Sequence, residues 1–242
     1  MILCDLPYGT TACKWDTPLP LDKLWLEYKR IIKSNGAIVL TASQPFTSKL
    51  VSSNYEMFKY SWVWNKKKSG NIFLGETQPM KIHEDILIFG IKTPNYNPIM
   101  VKRDNIKISK NYGTGNAFGG DKTPEDTIYT YTHKYPISII EKSNAYQTGK
   151  VHPTQKPVAL FEYLIKTYTN ENDLILDNCA GSGTTGVASQ NLNRNCIMIE
   201  QEPEYCNIIR ERMATHETLI MEARKQQTLQ QYQGQQTLTQ TP

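Results

Sequence analysis

No apolar run in this sequence is long enough to cross a bilayer. The longest, around residues 38–40 and 86–89, fall far short of the about 20 residues that a membrane helix needs. No basic segment followed by an apolar one opens the chain, so secretion is not expected. Cysteine is scarce: Cys4, Cys13, Cys179, Cys196 and Cys206 are odd in number and form no C-x-x-C pair, which argues against a disulfide framework or a thiolate zinc site. The four histidines lack any H-x-x-x-H spacing, and no metal is expected. These absences indicate a cytoplasmic compartment, with the cysteines as reduced, mostly buried small hydrophobes. A strong charge of one sign is also missing. The formal excess of 27 basic over 23 acidic residues is +4, too little by itself to indicate a nucleic-acid partner.

What the chain does have is 242 residues, 39% hydrophobic and 21% charged, the balance of one α/β domain or of one domain carrying an insertion. Residues 1–4 read as a buried strand running into Asp5-Leu6-Pro7-Tyr8-Gly9. Leu21, Leu24, Trp25, Tyr28, Ile31 and Ile32 keep helical spacing until Asn35-Gly36 stops them. Residues 37–40, 60–64 and 85–91 read as strands, and Ser43 can cap a helix beginning near Pro45. Later, Val158, Leu160, Phe161, Leu164, Ile165 and Tyr168 mark a helix opened by Pro157. Residues 174–176 and 196–199 read as strands around a helix at 185–192, and a last helix holds Tyr205, Ile208, Ile209 and Met213. Strands alternating with helices imply an α/β fold with a doubly wound, mostly parallel sheet, whose ligands sit at the carboxyl ends of strands.

Between residues 92 and 150 the periodicity fades. A structureless loop of this length is unusual in a compact domain, so the segment reads as a functional insertion. Its nine basic and five acidic residues account for the whole formal excess, and it holds six of the 14 tyrosines. The expected organisation is therefore residues 1–91, an insertion at 92–149, residues 150–225, and a disordered Gln- and Thr-rich tail at 226–242.

The loop from Asp177 to Gly186 follows a strand and opens a helix. Gly181, Gly183 and Gly186 fit the G-x-G-x-x-G pattern, and Glu200 ends the next strand, where an acid can take both ribose hydroxyls of an adenosine. The pattern alone does not separate a nicotinamide cofactor from S-adenosylmethionine. Asp177 favours the second: a carboxylate can hold the ammonium of a methionine moiety, whereas it would repel a pyrophosphate. A P-loop is excluded, because Val187 and Ala188 stand where Lys and Ser/Thr should follow.

Asp5-Leu6-Pro7-Tyr8 resembles the D-P-P-Y motif of amino-group DNA methyltransferases. The exocyclic amine of adenine or cytosine is a poor nucleophile, because its lone pair is delocalised into the ring. A carboxylate and a backbone carbonyl that accept its two hydrogens draw that lone pair out of conjugation. Asp5 and the carbonyl of Leu6 suit this task, Pro7 stiffens the turn, and Tyr8 suits stacking on a flipped base. Attack on a sulfonium methyl is then a direct in-line displacement with no covalent enzyme intermediate.

With His152-Pro153-Thr154-Gln155-Lys156-Pro157 leading into the helix before the cofactor strand, the chain resembles the permuted, beta-class amino-methyltransferases over roughly residues 1–213. The stretch from Asp5 to Asp16 is most like phage and prophage members. The resemblance implies a Rossmann-like, circularly permuted fold using S-adenosylmethionine, here expected to lack an N-terminal edge strand because Met1 already lies in the catalytic strand. It implies that Thr154, Gln155 and Lys156 lie near the methionine end of the cofactor. Asp177, Cys179, Gly181, Gly183, Thr184 and Glu200 would contact the cofactor, with Cys179 replacing the usual Phe. The insertion would be the target-recognition region, and residues 64–68 would lie near the flipped base or the DNA backbone. Phosphate contacts are expected from Lys66, Lys67, Lys68, Lys102, Arg103, Lys107 and Lys110. Taken singly, each of these reads better as part of a solvated basic face; the segment as a whole reads as a DNA contact.

The leading reading is a double-stranded-DNA adenine-N6 methyltransferase, since the leading Asp leans towards adenine. Cytosine-N4 methylation is the nearest alternative. A catalytically inactive DNA-binding remnant is the alternative of another class, and a nicotinamide oxidoreductase explains only the glycines. The recognition sequence, a homodimer and a cognate restriction endonuclease stay open in a bacterial or phage-infected cell.

Overall fold

The computed structural model describes residues 1–11, 13, 16–69, 72–110, 128–144 and 155–238, with backbone alone at 72, 110, 223–225 and 227–238. The chain divides into two units, Met1–Asn97 with Ser138–Pro242, and Pro98–Ile137.

The larger unit is built on a seven-stranded sheet in the order β7-β3-β4-β2-β1-β8-β9. Its strands are β1 (Ile2–Cys4), β2 (Ile38–Ala42), β3 (Phe58–Asn65), β4 (His83–Phe89), β7 (Ile139–Glu141), β8 (Leu174–Asp177) and β9 (Asn195–Met198). Pairing is parallel except on the two sides of β4, which runs antiparallel to β2 and β3. Helices α1 (Leu21–Ile31), α2 (Phe46–Ser53), α3 (Val158–Tyr168), α4 (Thr184–Asn191) and α5 (Pro203–Leu238) connect or follow the strands.

Strand alternation sorts the core into two layers. Ile2, Cys4, Ile38, Leu40, Leu87 and Phe89 pack with Leu21, Trp25 and Tyr28 of α1 and with Phe46 and Leu50 of α2. Leu3, Val39, Ile86 and Ile88, one residue out of phase, pack with Leu160, Phe161, Leu164 and Ile165 of α3 and Ala188 of α4. Both faces are covered, which is the doubly wound architecture that the alternation of elements implies. On α1 one expected core position differs: Ile31 is 43% exposed, because it lies off the stripe of Leu21, Trp25, Tyr28 and Ile32 that packs on the core.

The smaller unit is a two-stranded antiparallel ribbon, β5 (Val101–Lys110) and β6 (Ile128–Lys134), with a register shift between Lys102 and Lys107. It lies inside the expected insertion, with narrower bounds than 92–149. The helix α5 continues to Leu238, so its backbone runs beyond residue 226, where the sequence reading ends order. Gln is a good helix former, and a polar composition does not by itself oppose a helix that is already nucleated.

Candidate active site

The parallel register Ile2↔Leu176 sets β1 beside β8, so the loops that leave their carboxyl ends are neighbours. They open on one cavity of about 1170 Å3 lined by Asp5, Leu6, Pro7 and Tyr8 from the first loop, by Asp177 to Ser182 and Thr184 from the second, and by Glu200 after β9. Among the described residues its acidic lining is Asp5, Asp16, Glu84, Asp177, Glu200 and Glu202, against Lys66 and Lys156 as the basic ones. Such a wall favours a cationic ligand.

Asp5 is held on both oxygens. Thr41 Oγ1 and Tyr8 Oη, the latter at 2.9 Å, donate to Oδ1, and Lys156 Nζ donates to Oδ2 at 2.6 Å. Lys156 also lies 3.5 Å from Glu84 Oε2, while Lys66 pairs with Glu84 Oε1 at 3.0 Å. Burial alone would lower the Lys156 ammonium, but the charges of Asp5 and Glu84 outweigh it and hold it above its ordinary value. The Tyr8 ring stacks on Phe46 at 5.2 Å. Past the tetrapeptide, Asp16 ties the loop together, accepting from the backbone N–H of Gly9, Thr10 and Thr11 and from the Thr11 hydroxyl. Burial would raise the Asp16 carboxyl, and these donors bring it below the usual range.

The glycine loop is shaped by Gly181 and Gly183 at φ of +52° and +80°, a region that a Cβ disfavours. Asp177 is buried and accepts from Thr185 Oγ1 and from Cys179 N. Burial pushes its carboxyl up to about 6. It has no ion pair among the described residues, so its charge is uncompensated on the cavity wall, as a ligand ammonium would require. Glu200 accepts from Gly181 N on Oε2 at 2.7 Å, and from Gln201 N and Glu202 N on Oε1. Among the described residues Oε2 keeps one acceptor position for a hydroxyl. Gln155 lies over this loop, accepting from Ser182 Oγ at 3.1 Å. These residues fit S-adenosylmethionine: a lone carboxylate for its ammonium, an acid at the strand end for its ribose, and an acidic cavity for its sulfonium.

The other expected site residues divide. Lys156 lines the cavity, with its ammonium pointing to Asp5. Lys66 is taken into the cavity wall by Glu84, and Lys67 pairs with Glu141 at 3.0 Å on the surface. Lys68, Lys102 and Lys107 are exposed, while Arg103 Nε donates to the His133 carbonyl across the ribbon. Thr154 and the Lys110 side chain lie outside the described residues. Trp64, expected near the base, is instead fully buried in the core, with Nε1 donating to the Lys142 carbonyl at 2.8 Å. Strand alternation is the reason: Trp62 and Trp64 share the inward face of β3. Sequence reasoning missed Thr41, Glu84 and the pairing of Lys66. Glu84 sits at the start of β4, and only the antiparallel course of that strand (Trp64↔Glu84) brings its first residues to the rim where the parallel strands end.

A family model described as DNA methylase matches residues 1–211. The Type II methyltransferase M.HpaI of Haemophilus parainfluenzae is 28% identical over 228 residues, 88% of this chain and 67% of that protein. The Type II methyltransferase M2.LlaDCHI of Lactococcus lactis subsp. cremoris is 38% identical over 124 residues, 50% of this chain and 43% of that protein. The chain thus spans two thirds or less of the length of these curated relatives. Among solved structures, a complex of M1.HpyAVI with SAM superposes with a TM-score of 0.57 at 26% identity, covering 87% of each chain.

Proposed function

Given that the chain belongs to the DNA methylase family, whose members use S-adenosylmethionine, we propose that it methylates the N6 amine of adenine in double-stranded DNA. The observation that carries this reading is that Asp5 and Asp177 face one cavity from adjacent parallel strands. S-adenosylmethionine supplies an electrophilic methyl group on a sulfonium. Asp177 would hold its ammonium and Glu200 its ribose, as the donor sets around them allow.

Asp5 and the carbonyl of Leu6 would accept hydrogen bonds from the two N–H groups of the flipped base's amine and turn its lone pair towards the methyl group. The C–S bond breaks as the C–N bond forms, S-adenosylhomocysteine leaves as a thioether, and the methylated amine then gives up one proton. Pro7 limits the turn that aims them, and Tyr8, braced by Phe46, walls the base. Hydrogen bonds from Thr41 and Tyr8 pre-orient the Asp5 carboxylate, so little reorganisation accompanies the reaction. Adenine is preferred because an Asp leads the tetrapeptide; cytosine N4 is the second reading and uses the same chemistry.

The β5–β6 ribbon serves target recognition. A two-stranded ribbon is narrow enough for the major groove, and Lys102, Lys107, Ile108, Thr130 and Tyr131 are exposed on it. The protein would act in the cytoplasm, with a second copy and a cognate restriction endonuclease as further partners.

The test is transfer of labelled methyl from S-adenosylmethionine to unmethylated DNA, followed by nucleoside mass spectrometry. Wild type should make N6-methyladenine and Asp5→Ala none. N4-methylcytosine would change the base and keep the mechanism. No product from wild type that binds the cofactor would leave the DNA-binding remnant as the better reading.

A further inference from the structure

An ionised carboxylate oxygen offers two acceptor positions. Oδ1 of Asp5 has both filled, by Thr41 Oγ1 and Tyr8 Oη. Oδ2 has one filled, by Lys156 Nζ at 2.6 Å. Among the described residues one acceptor position is left, on an oxygen whose place is set by Lys156.

Lys156 is in turn restrained. Its side chain is 8% exposed and lies between Asp5 and Glu84, which are 24% and 14% exposed. Glu84 Oε2 is buried without a hydrogen-bond partner among the described residues, and the charge of Lys156 at 3.5 Å compensates it. Lys66 Nζ at 3.0 Å satisfies the other oxygen. The result is a row of alternating charge, Lys66, Glu84, Lys156 and Asp5, at the carboxyl rim of the sheet. Two carboxylates around one buried amine keep it an ammonium, so it holds Asp5 as a fixed cation and does not relay protons.

We infer that Glu84 is a positioning residue: through Lys156 it fixes Asp5 so that Oδ2 is the atom that accepts an N–H of the target amine. This rests on the methyl-transfer reading above. Leu6 supplies the second acceptor from the backbone, so a swing of the Asp5 carboxylate would break the paired geometry that the amine needs. Neutralising Glu84 removes the anchor on the far side of Lys156, so the ammonium and the Asp5 carboxylate bound to it can shift together and that geometry is released, while the glycine loop stays in place.

The experiment compares wild type with Glu84→Gln, a change of charge at nearly constant shape. Methyl transfer to bulk unmethylated DNA should lose about 10- to 100-fold in kcat, with KM for S-adenosylmethionine within about twofold. Unchanged kcat, or a loss confined to KM for the cofactor, overturns the inference. A second readout needs no activity. In protein labelled with 15N-lysine, the Lys156 ammonium should give a protected resonance that is lost or displaced in both Glu84→Gln and Asp5→Asn. A resonance unmoved in both variants overturns the linkage. If wild type transfers no methyl group, the reaction reading fails by itself and the resonance still decides the linkage. Should Glu84→Gln not fold, Glu84→Asp takes its place: it keeps the charge but draws it away from Lys156, and unchanged kcat there is equally fatal.

Discussion

Replacing Asp177 by Asn should make the cofactor-free protein more stable and the cofactor site useless. Asp177 is 3% exposed and accepts from Thr185 Oγ1 and Cys179 N. Burial pushes its carboxyl up from 3.8 to about 6. Because the folded value is raised, the folded state holds the proton more tightly than the unfolded chain. The contribution to stability is complete below the unfolded value, falls as pH rises through about 6, and above that leaves the full penalty of a buried lone charge. Two units at about 1.4 kcal/mol each set a ceiling of about 3 kcal/mol. An amide oxygen can serve only one of the two donors, which removes about 1 kcal/mol of the gain. The net, about 2 kcal/mol, corresponds to a melting point roughly 4–8 °C higher at pH 8 for a chain of this size. Near pH 4.5 the two proteins should melt together. Thermal melts without cofactor at both pH values provide the assay, with calorimetric titration of S-adenosylmethionine beside them, where the variant should bind at least about tenfold more weakly. A variant that melts lower than wild type at pH 8, or by the same difference at both pH values, would refute the reasoning.

Three further outcomes follow from the same geometry. Asp177 must lose its proton before it can hold an ammonium, so cofactor affinity should rise about tenfold from pH 5 to pH 8 through about 6; a flat calorimetric profile would remove Asp177 from the site. The double substitution Lys102→Ala, Lys107→Ala should lower the salt slope of DNA binding by about 2 and leave the melting point unchanged, as measured by titration between low and moderate salt; an unaltered slope would take the ribbon off the phosphates. Trp64→Ala should destabilise by about 3–5 kcal/mol in urea unfolding, because the ring is fully buried and not a base contact; a stable variant with weakened DNA binding would reverse that placement.

Much of the fold was legible because its signals are local. The helical stripe of α1, the strand-to-helix turn at Asp177 and the proline opening α3 each sit within a few residues of one another. The cofactor cavity was legible for a related reason: in a parallel sheet both motifs must end at the same rim. The ribbon was not legible. Its strands carry exposed Ile106, Ile108 and Ile128, so no alternation of buried and exposed positions marks them. Trp64 was misplaced by proximity in sequence, since neighbours on β3 and its exit go to different surroundings: Trp64 into the core and Lys66 to Glu84 on the cavity wall.

By itself, then, the sequence determined which chemistry the chain can carry. It supplies an acid with a stiffened turn, a glycine loop with Asp177 before it and Glu200 after it, and alternating elements that must form a two-faced sheet. The tertiary structure alone decided how those groups are held. Lys156, 151 residues from Asp5, reaches it at 2.6 Å, and Glu84 reaches both lysines because β4 enters the sheet against the direction of β2 and β3. Charge pairing at a few ångströms depends on which strand ends share a rim. That is set by strand order and direction, which no local pattern encodes.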